Sequence, residues 1–74
     1  MADLPAMRPT EIVSILRKAG FIQLRQSGSH VFLKNESTGR YTIVAIHNKD
    51  VRKPMLRTIL TQAGLTDEEF LRLR

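Results

Sequence analysis

The chain has no cysteine and no tryptophan, and its aromatic residues are three phenylalanines and one tyrosine. Without cysteine there is no disulfide framework and no thiolate metal site. Two histidines with no carboxylate beside them in sequence make a poor zinc site, so neither a metal nor another cofactor is expected. With only Phe21, Phe32, Phe70 and Tyr41, a base-stacking platform is not expected either. No apolar run approaches the roughly 20 residues of a membrane span. Met1-Ala2-Asp3-Leu4-Pro5 has no basic region followed by an apolar stretch, so no signal peptide is expected, and a reducing cytoplasm is the simplest location. A glycine-rich phosphate loop, paired carboxylates and a serine–histidine–acid arrangement are all missing.

At 74 residues, 42% of them hydrophobic, the chain suits one small domain with a thin core, to which a bound partner would add stability. Twelve bases against seven acids give a net charge of +5. The charge is unevenly spread. Arg17, Lys18, Arg25, Lys34, Arg40, Lys49, Arg52, Lys53 and Arg57 face only Glu36 and Asp50 across the middle, while Asp67, Glu68 and Glu69 gather near the C-terminus. A basic middle implies an anionic partner, either nucleic acid or an acidic protein surface; the plain alternative is a solvated basic surface.

The spacing predicts two similar helices. Ile12, Ile15, Leu16 and Ala19 form one apolar stripe, as do Leu56, Ile59, Leu60 and Ala63. Pro9 fits a first helical position, where its missing N–H costs nothing. Each stripe ends in glycine and an apolar residue, Gly20-Phe21 and Gly64-Leu65, as a Schellman cap requires. Between the helices, strands are predicted over 21–26, 30–34 and 41–46. Gly28-Ser29 supplies a two-residue type II′ turn and 35–40 a longer polar loop, so the strands run antiparallel. Thr66 and Glu69 make a capping box, with Leu65 and Phe70 as a hydrophobic staple, for a short terminal helix over 66–73. The expected architecture is α+β: a two-layer α-β-β-β-α domain with a short C-terminal helix, both main helices on one sheet face and the other face free. Residues 1–7 are expected to form a flexible extension of the single domain 1–74.

His30 opens the second predicted strand and shares a face with Phe32 and Lys34, opposite Val31 and Leu33. That puts it on the open face or its rim, where an imidazole can exchange a proton near neutral pH. A half-exposed strand histidine without a role is the plain alternative. His47 follows the third strand, and antiparallel pairing allows its end to lie beside the start of the second. His47 is therefore open as an acid–base partner or as a loop histidine bonded locally. Arg52 and Lys53 precede Pro54 at the start of the second helix, where cations oppose the helix dipole at a cost of about 0.3–1 kcal/mol each. An anion there would turn that cost into attraction; otherwise the long side chains swing into water.

Together Ala19-Gly20-Phe21, Arg25 with Gly28-Ser29-His30, Val44-Ala45-Ile46-His47, and Leu56-Arg57-Thr58-Ile59-Leu60 with Gln62-Ala63-Gly64-Leu65 carry a resemblance. Over about 9–65 the chain resembles the HicA toxins of bacterial and archaeal HicBA toxin–antitoxin systems. The resemblance implies a fold like the double-stranded RNA-binding domain. It also implies metal-independent cleavage of messenger RNA, with His30 as the catalytic histidine, and inhibition by a HicB-type antitoxin. The candidate RNA contacts are Arg25, Ser29, Lys34, His47, Lys49, Arg52 and Lys53. The free toxin is expected to be monomeric and its antitoxin complex hetero-oligomeric. Ala45 and Pro54 depart from the family, which often has proline and glycine at those positions; neither departure removes a catalytic group. The alternatives are a small RNA-binding module without chemistry and a protein-interaction domain. Against the former, the Gln26–Ser29 turn is short for a duplex binder, which must span roughly 16 base pairs.

Overall fold

The computed structural model describes residues 3–74 and contains α1 (Pro9–Lys18), β1 (Ile22–Ser27), β2 (His30–Asn35), β3 (Arg40–Ala45), α2 (Lys53–Ala63) and α3 (Asp67–Arg72), in that order. The strands form one antiparallel sheet in the order β1-β2-β3. This is the α-β-β-β-α layout of the double-stranded RNA-binding type, with strand ends within a residue of those expected from the sequence.

Both main helices follow from their stripes. Ile12, Ile15 and Leu16 of α1, and Leu56, Ile59, Leu60 and Ala63 of α2, are buried together with Val31, Leu33 and Val44 from the sheet. Both helices end in Schellman caps. After α1, the Phe21 amide donates to the Leu16 carbonyl and the Gly20 amide to that of Arg17; after α2, Leu65 and Gly64 donate likewise to Leu60 and Thr61. Left-handed backbone at Gly20 (φ 101°) and Gly64 (φ 72°) makes these caps possible. The capping box holds α3, with the Thr66 hydroxyl accepting from the Glu69 amide and the Glu69 carboxylate accepting from the Thr66 amide. Phe70 anchors α3 in the core with no exposed surface.

The sheet register separates two faces. Gln26–Val31–Val44 and Gln23–Leu33–Thr42 make the rows beneath the helices. Ser27–His30–Ala45, Arg25–Phe32–Ile43 and Ile22–Lys34–Tyr41 make the open face. A β-bulge at Leu24 shifts the register between Gln23 and Arg25. Simple alternation would put Arg25 on the same side as Gln23; the extra residue turns it to the open face. There its guanidinium lies 4.3 Å from the centre of the Phe32 ring, and Tyr41 stands 6.2 Å from Phe32. Few as they are, two of the aromatics therefore do gather on the open face, because Phe32 and Tyr41 occupy adjacent cross-strand rows.

The expected flexible extension over 1–7 is corrected from Leu4 onward; residues 1 and 2 lie outside the described residues. Leu4 and Met7 are buried in the core. Met7 exchanges two backbone hydrogen bonds with Val51, at 3.1 and 2.7 Å, and Lys53 Nζ reaches Asp3 Oδ1 at 2.8 Å. The apolar side chains of this segment supply core volume that a domain of this size otherwise lacks. No helix of the described chain is long and apolar enough to cross a membrane.

Candidate active site

The turn that delivers His30 is two residues long. Ser27 pairs with His30, and Gly28 has φ 58° while Ser29 stays out of the left-handed region, as a type II′ turn requires. His30 is then held by ladders on both sides, opposite Ser27 on β1 and Ala45 on β3. One further hydrogen bond, from the Ile46 amide to the Ser29 carbonyl at 2.6 Å, extends the β2–β3 contact past the strand end. This brings the next residue, His47, to the same end of the sheet as His30.

Both histidines line one groove of 390 Å³ between the end of β3 and the start of α2. Ile43, Ala45, Val51, Met55 and Ile59 contribute its apolar walls. Lys49, Asp50 and Arg52 contribute its charges. Volumes of about 300–1,000 Å³ are usual for small-molecule sites, so the groove has room for part of a polymer chain rather than all of its width. The loop of residues 46–52 closes one side. It is fixed by the Met7–Val51 bridge and by Arg8 Nη1, which donates to the Asn48 carbonyl at 3.4 Å. The N-terminal segment therefore braces the site from behind.

The electrostatics of the groove are open. Among the described residues, His30, His47, Lys49, Asp50 and Arg52 take part in no ion pair. Arg52 is the N-cap of α2, with no side-chain acceptor on the first amides and no acid in the first turn. Ion pairs elsewhere include Lys53–Asp3, Arg57–Asp67 and Arg74–Glu11. Lys53 and Asp3 hold each other, and the hydrogen bond and charge of Lys53 lower the Asp3 carboxyl below its ordinary range. Arg57 clasps both oxygens of Asp67, which raises the already high Arg57 value. No three side chains of metal-ligating type cluster among the described residues.

The candidate residues thus divide by position. His30, His47, Lys49 and Arg52 share the groove. Ser29 sits beside it in the turn and supplies a backbone acceptor. Arg25 lies one row away on the open face, stacked on Phe32. Lys34 is four residues along β2 from His30, about 13 Å at the usual strand rise. Lys53 leaves the groove for Asp3. Six lining residues, Ile43, Ala45, Asp50, Val51, Met55 and Ile59, fall outside the candidates expected from the sequence. Met55 and Ile43 are exposed apolar residues whose partnership needs the tertiary fold, and Asp50 is twenty positions from His30 in sequence.

The two departures noted in the sequence are compatible with this arrangement. Ala45 is the small cross-strand neighbour of His30, and Pro54 lies in the first turn of α2. A search of curated proteins finds no match. A family model described as the HicA toxin of bacterial toxin-antitoxin matches residues 9–65. That match spans both histidines, the loop that closes the groove and the whole of α2, so the chain belongs to the HicA toxin family of bacterial toxin–antitoxin systems.

Proposed function

We propose that this toxin is a metal-independent endoribonuclease that cleaves messenger RNA in the groove at His30. The observation that carries the reading is the opening of His30 and His47 into one groove with the unpaired cations Lys49 and Arg52, in a chain of the HicA family. RNA brings its own nucleophile. A base removes the proton of a 2′-hydroxyl, its oxygen attacks the adjacent phosphorus, the bond to the 5′-oxygen breaks, and an acid protonates that leaving oxygen. The products are a 2′,3′-cyclic phosphate and a 5′-hydroxyl. Such proton transfer by one imidazole contributes about 10²–10⁴-fold. His30 takes one of the two proton-transfer roles, and the second imidazole, His47, is available for the other. Lys49 and Arg52 are the cations suited to the charge that builds on the phosphoryl oxygens. Arg25 and Lys34 suit contacts to flanking phosphates along the open face, and Ser29 suits a contact beside the turn.

The chemistry needs no metal in this scheme, and the donor set favours none. The cognate antitoxin, of HicB type, silences the toxin by competing for the same cationic surface. The free chain acts as a monomer in the cytoplasm and forms a hetero-oligomer with its antitoxin. A purely RNA-binding domain is the lesser reading, because a two-residue β1–β2 turn cannot reach a second minor groove of a duplex.

The test is His30→Ala, expressed beside the wild type. RNA cleavage and growth arrest are lost, while stability moves by roughly 0.5 kcal/mol or less because the imidazole is exposed. Cleavage survives EDTA, and a strand with hydrogen in place of its 2′-hydroxyls stays intact. Full nuclease activity in purified His30→Ala, or equal cutting of DNA, overturns the scheme.

A further inference from the structure

The groove carries one feature that phosphate binding does not explain. Asp50 lines it together with Lys49 and Arg52, yet forms no ion pair among the described residues. A free carboxylate repels a phosphate. Exposed to water, it costs the free protein nothing, but within a bound complex it suits a ligand that is anionic at one end and offers hydrogen-bond donors at the other. The walls add a third demand. Ile43 is 38% and Met55 58% exposed, and with Ala45 they present apolar surface to the space where a bound strand would run. A sugar–phosphate backbone alone has nothing to put there. A nucleotide meets all three conditions: a phosphate, a flat apolar ring, and donor groups on the ring edge.

We propose that the groove is a base-binding subsite that seats one unstacked nucleobase of single-stranded RNA against Ile43, Ala45 and Met55, with Asp50 accepting a hydrogen bond from the base's exocyclic amino group. This rests on the nuclease reading of the same site for its biological meaning, but the binding itself does not require cleavage. The Met55 side chain, flexible and polarisable, packs on the ring. Lys49 and Arg52 hold the adjoining phosphate at the mouth of the groove, and His30 lies at the strand end beside it. Adenine, cytosine and guanine each carry an amino group. Uracil has an acceptor oxygen where cytosine has its amine, and so meets Asp50 acceptor to acceptor. A base stacked within a duplex cannot enter without being flipped out, so single strands are the substrate.

The experiment titrates the full wild-type chain by NMR with cytidine, uridine and ribose 5′-phosphates, reading shifts at Ile43, Ala45 and Met55. Cytidine monophosphate binds tighter than ribose 5-phosphate by about two- to tenfold, the worth of one ring packed on a methionine thioether. It binds tighter than uridine monophosphate by roughly tenfold, as one charge-assisted hydrogen bond allows. Met55→Ala weakens both nucleotides by about two- to tenfold and leaves ribose 5-phosphate unchanged. Asp50→Asn levels or reverses the cytidine preference, because its amide can donate to uracil. Equal binding of ribose 5-phosphate and cytidine monophosphate overturns the base seat, and equal binding of the two nucleotides overturns the role of Asp50. Either result alongside His30-dependent RNA cleavage leaves the nuclease standing and removes only the subsite. Selective nucleotide binding without any RNA cleavage does the reverse.

Discussion

Arg52 and Lys53 are adjacent in sequence, carry the same charge and stand at the same helix end, yet the structure gives them different tasks. Arg52 lines the groove, whereas Lys53 is bound to Asp3 on the surface outside it. If the groove cations hold phosphate, Arg52→Gln and Lys53→Gln must behave differently. Each phosphate contact on a single strand contributes about 0.7 to the slope of log affinity against log salt. Between about 50 and 200 mM salt, loss of one contact then removes about 2.6-fold of the salt-induced weakening. Arg52→Gln shows that flattening, together with weaker binding at every salt concentration. Lys53→Gln keeps the wild-type slope. Free-protein stability moves in the opposite direction to affinity. Taking a cation from the start of α2 relieves about 0.3–1 kcal/mol, nearer the low end for an exposed group, which raises Tm by about 1–4 °C. In Lys53→Gln the lost pairing with Asp3 offsets that relief, so Tm stays near the wild-type value. Fluorescence anisotropy on a 2′-O-methylated strand, which cannot be cut, measures the affinities, and thermal unfolding measures the stabilities. An unchanged slope for Arg52→Gln refutes a phosphate contact at Arg52. An equal flattening in both variants shows instead a diffuse positive field with no built site.

Three further outcomes follow from the packing. Met7→Ala, at a core position 2% exposed, costs about 2–5 kcal/mol of stability by denaturant unfolding, and a cost below 1 kcal/mol would restore the view of this segment as a loose extension. Gln62→Ala removes the amide oxygen that accepts from the buried Thr42 hydroxyl at 2.8 Å and costs about 1–3 kcal/mol, whereas Thr42→Val removes the need for that partner and costs less; the opposite order would mean that the hydrogen bond is incidental. The capping box with Thr66 lowers the Glu69 carboxyl below its ordinary value of 4.5, so its stabilisation is present above that value and fades as pH falls through the lower folded one. Glu69→Gln keeps the box without the charge, so the gap between variant and wild type closes on acidification, and a gap constant with pH would refute the linkage.

The parts of the fold that were readable from the sequence are those governed by near neighbours in the chain. The two helical stripes, both Schellman caps, the two-residue turn and the capping box each depend on residues within a few positions of one another, and each is formed as expected. The bulge at Leu24 is different. It exists only relative to β2, so alternation within β1 could not reveal that Arg25 faces away from Gln23. Leu4 and Met7 belong to a segment too short, and too interrupted by Pro5, to show a period, and their burial depends on tertiary packing beside Val51. The site divides in the same way. The approach of His47 to the start of β2 follows from antiparallel pairing and was foreseeable, but the apolar walls join β3 to a helix that begins across the intervening loop, a contact that only the tertiary fold creates.

The division between core and site also determines which substitutions can be interpreted. The buried apolar side chains lie under the helix-side face, whereas His30, His47, Lys49, Asp50, Arg52 and Met55 are all exposed. Changes at these six therefore test chemistry and binding with little cost to the fold. Ile59 is the exception. It lines the groove and is 2% exposed within the core, so its truncation would enlarge the groove and open a cavity at once. Val51 is a milder case, since its partly buried side chain packs against the core. A loss of activity at Ile59 or Val51 cannot be assigned to either cause, while a loss at Met55 or Asp50 can. For that reason the base seat is best probed from its exposed wall, where Asp50 forms no ion pair among the described residues and Met55 is largely open to solvent.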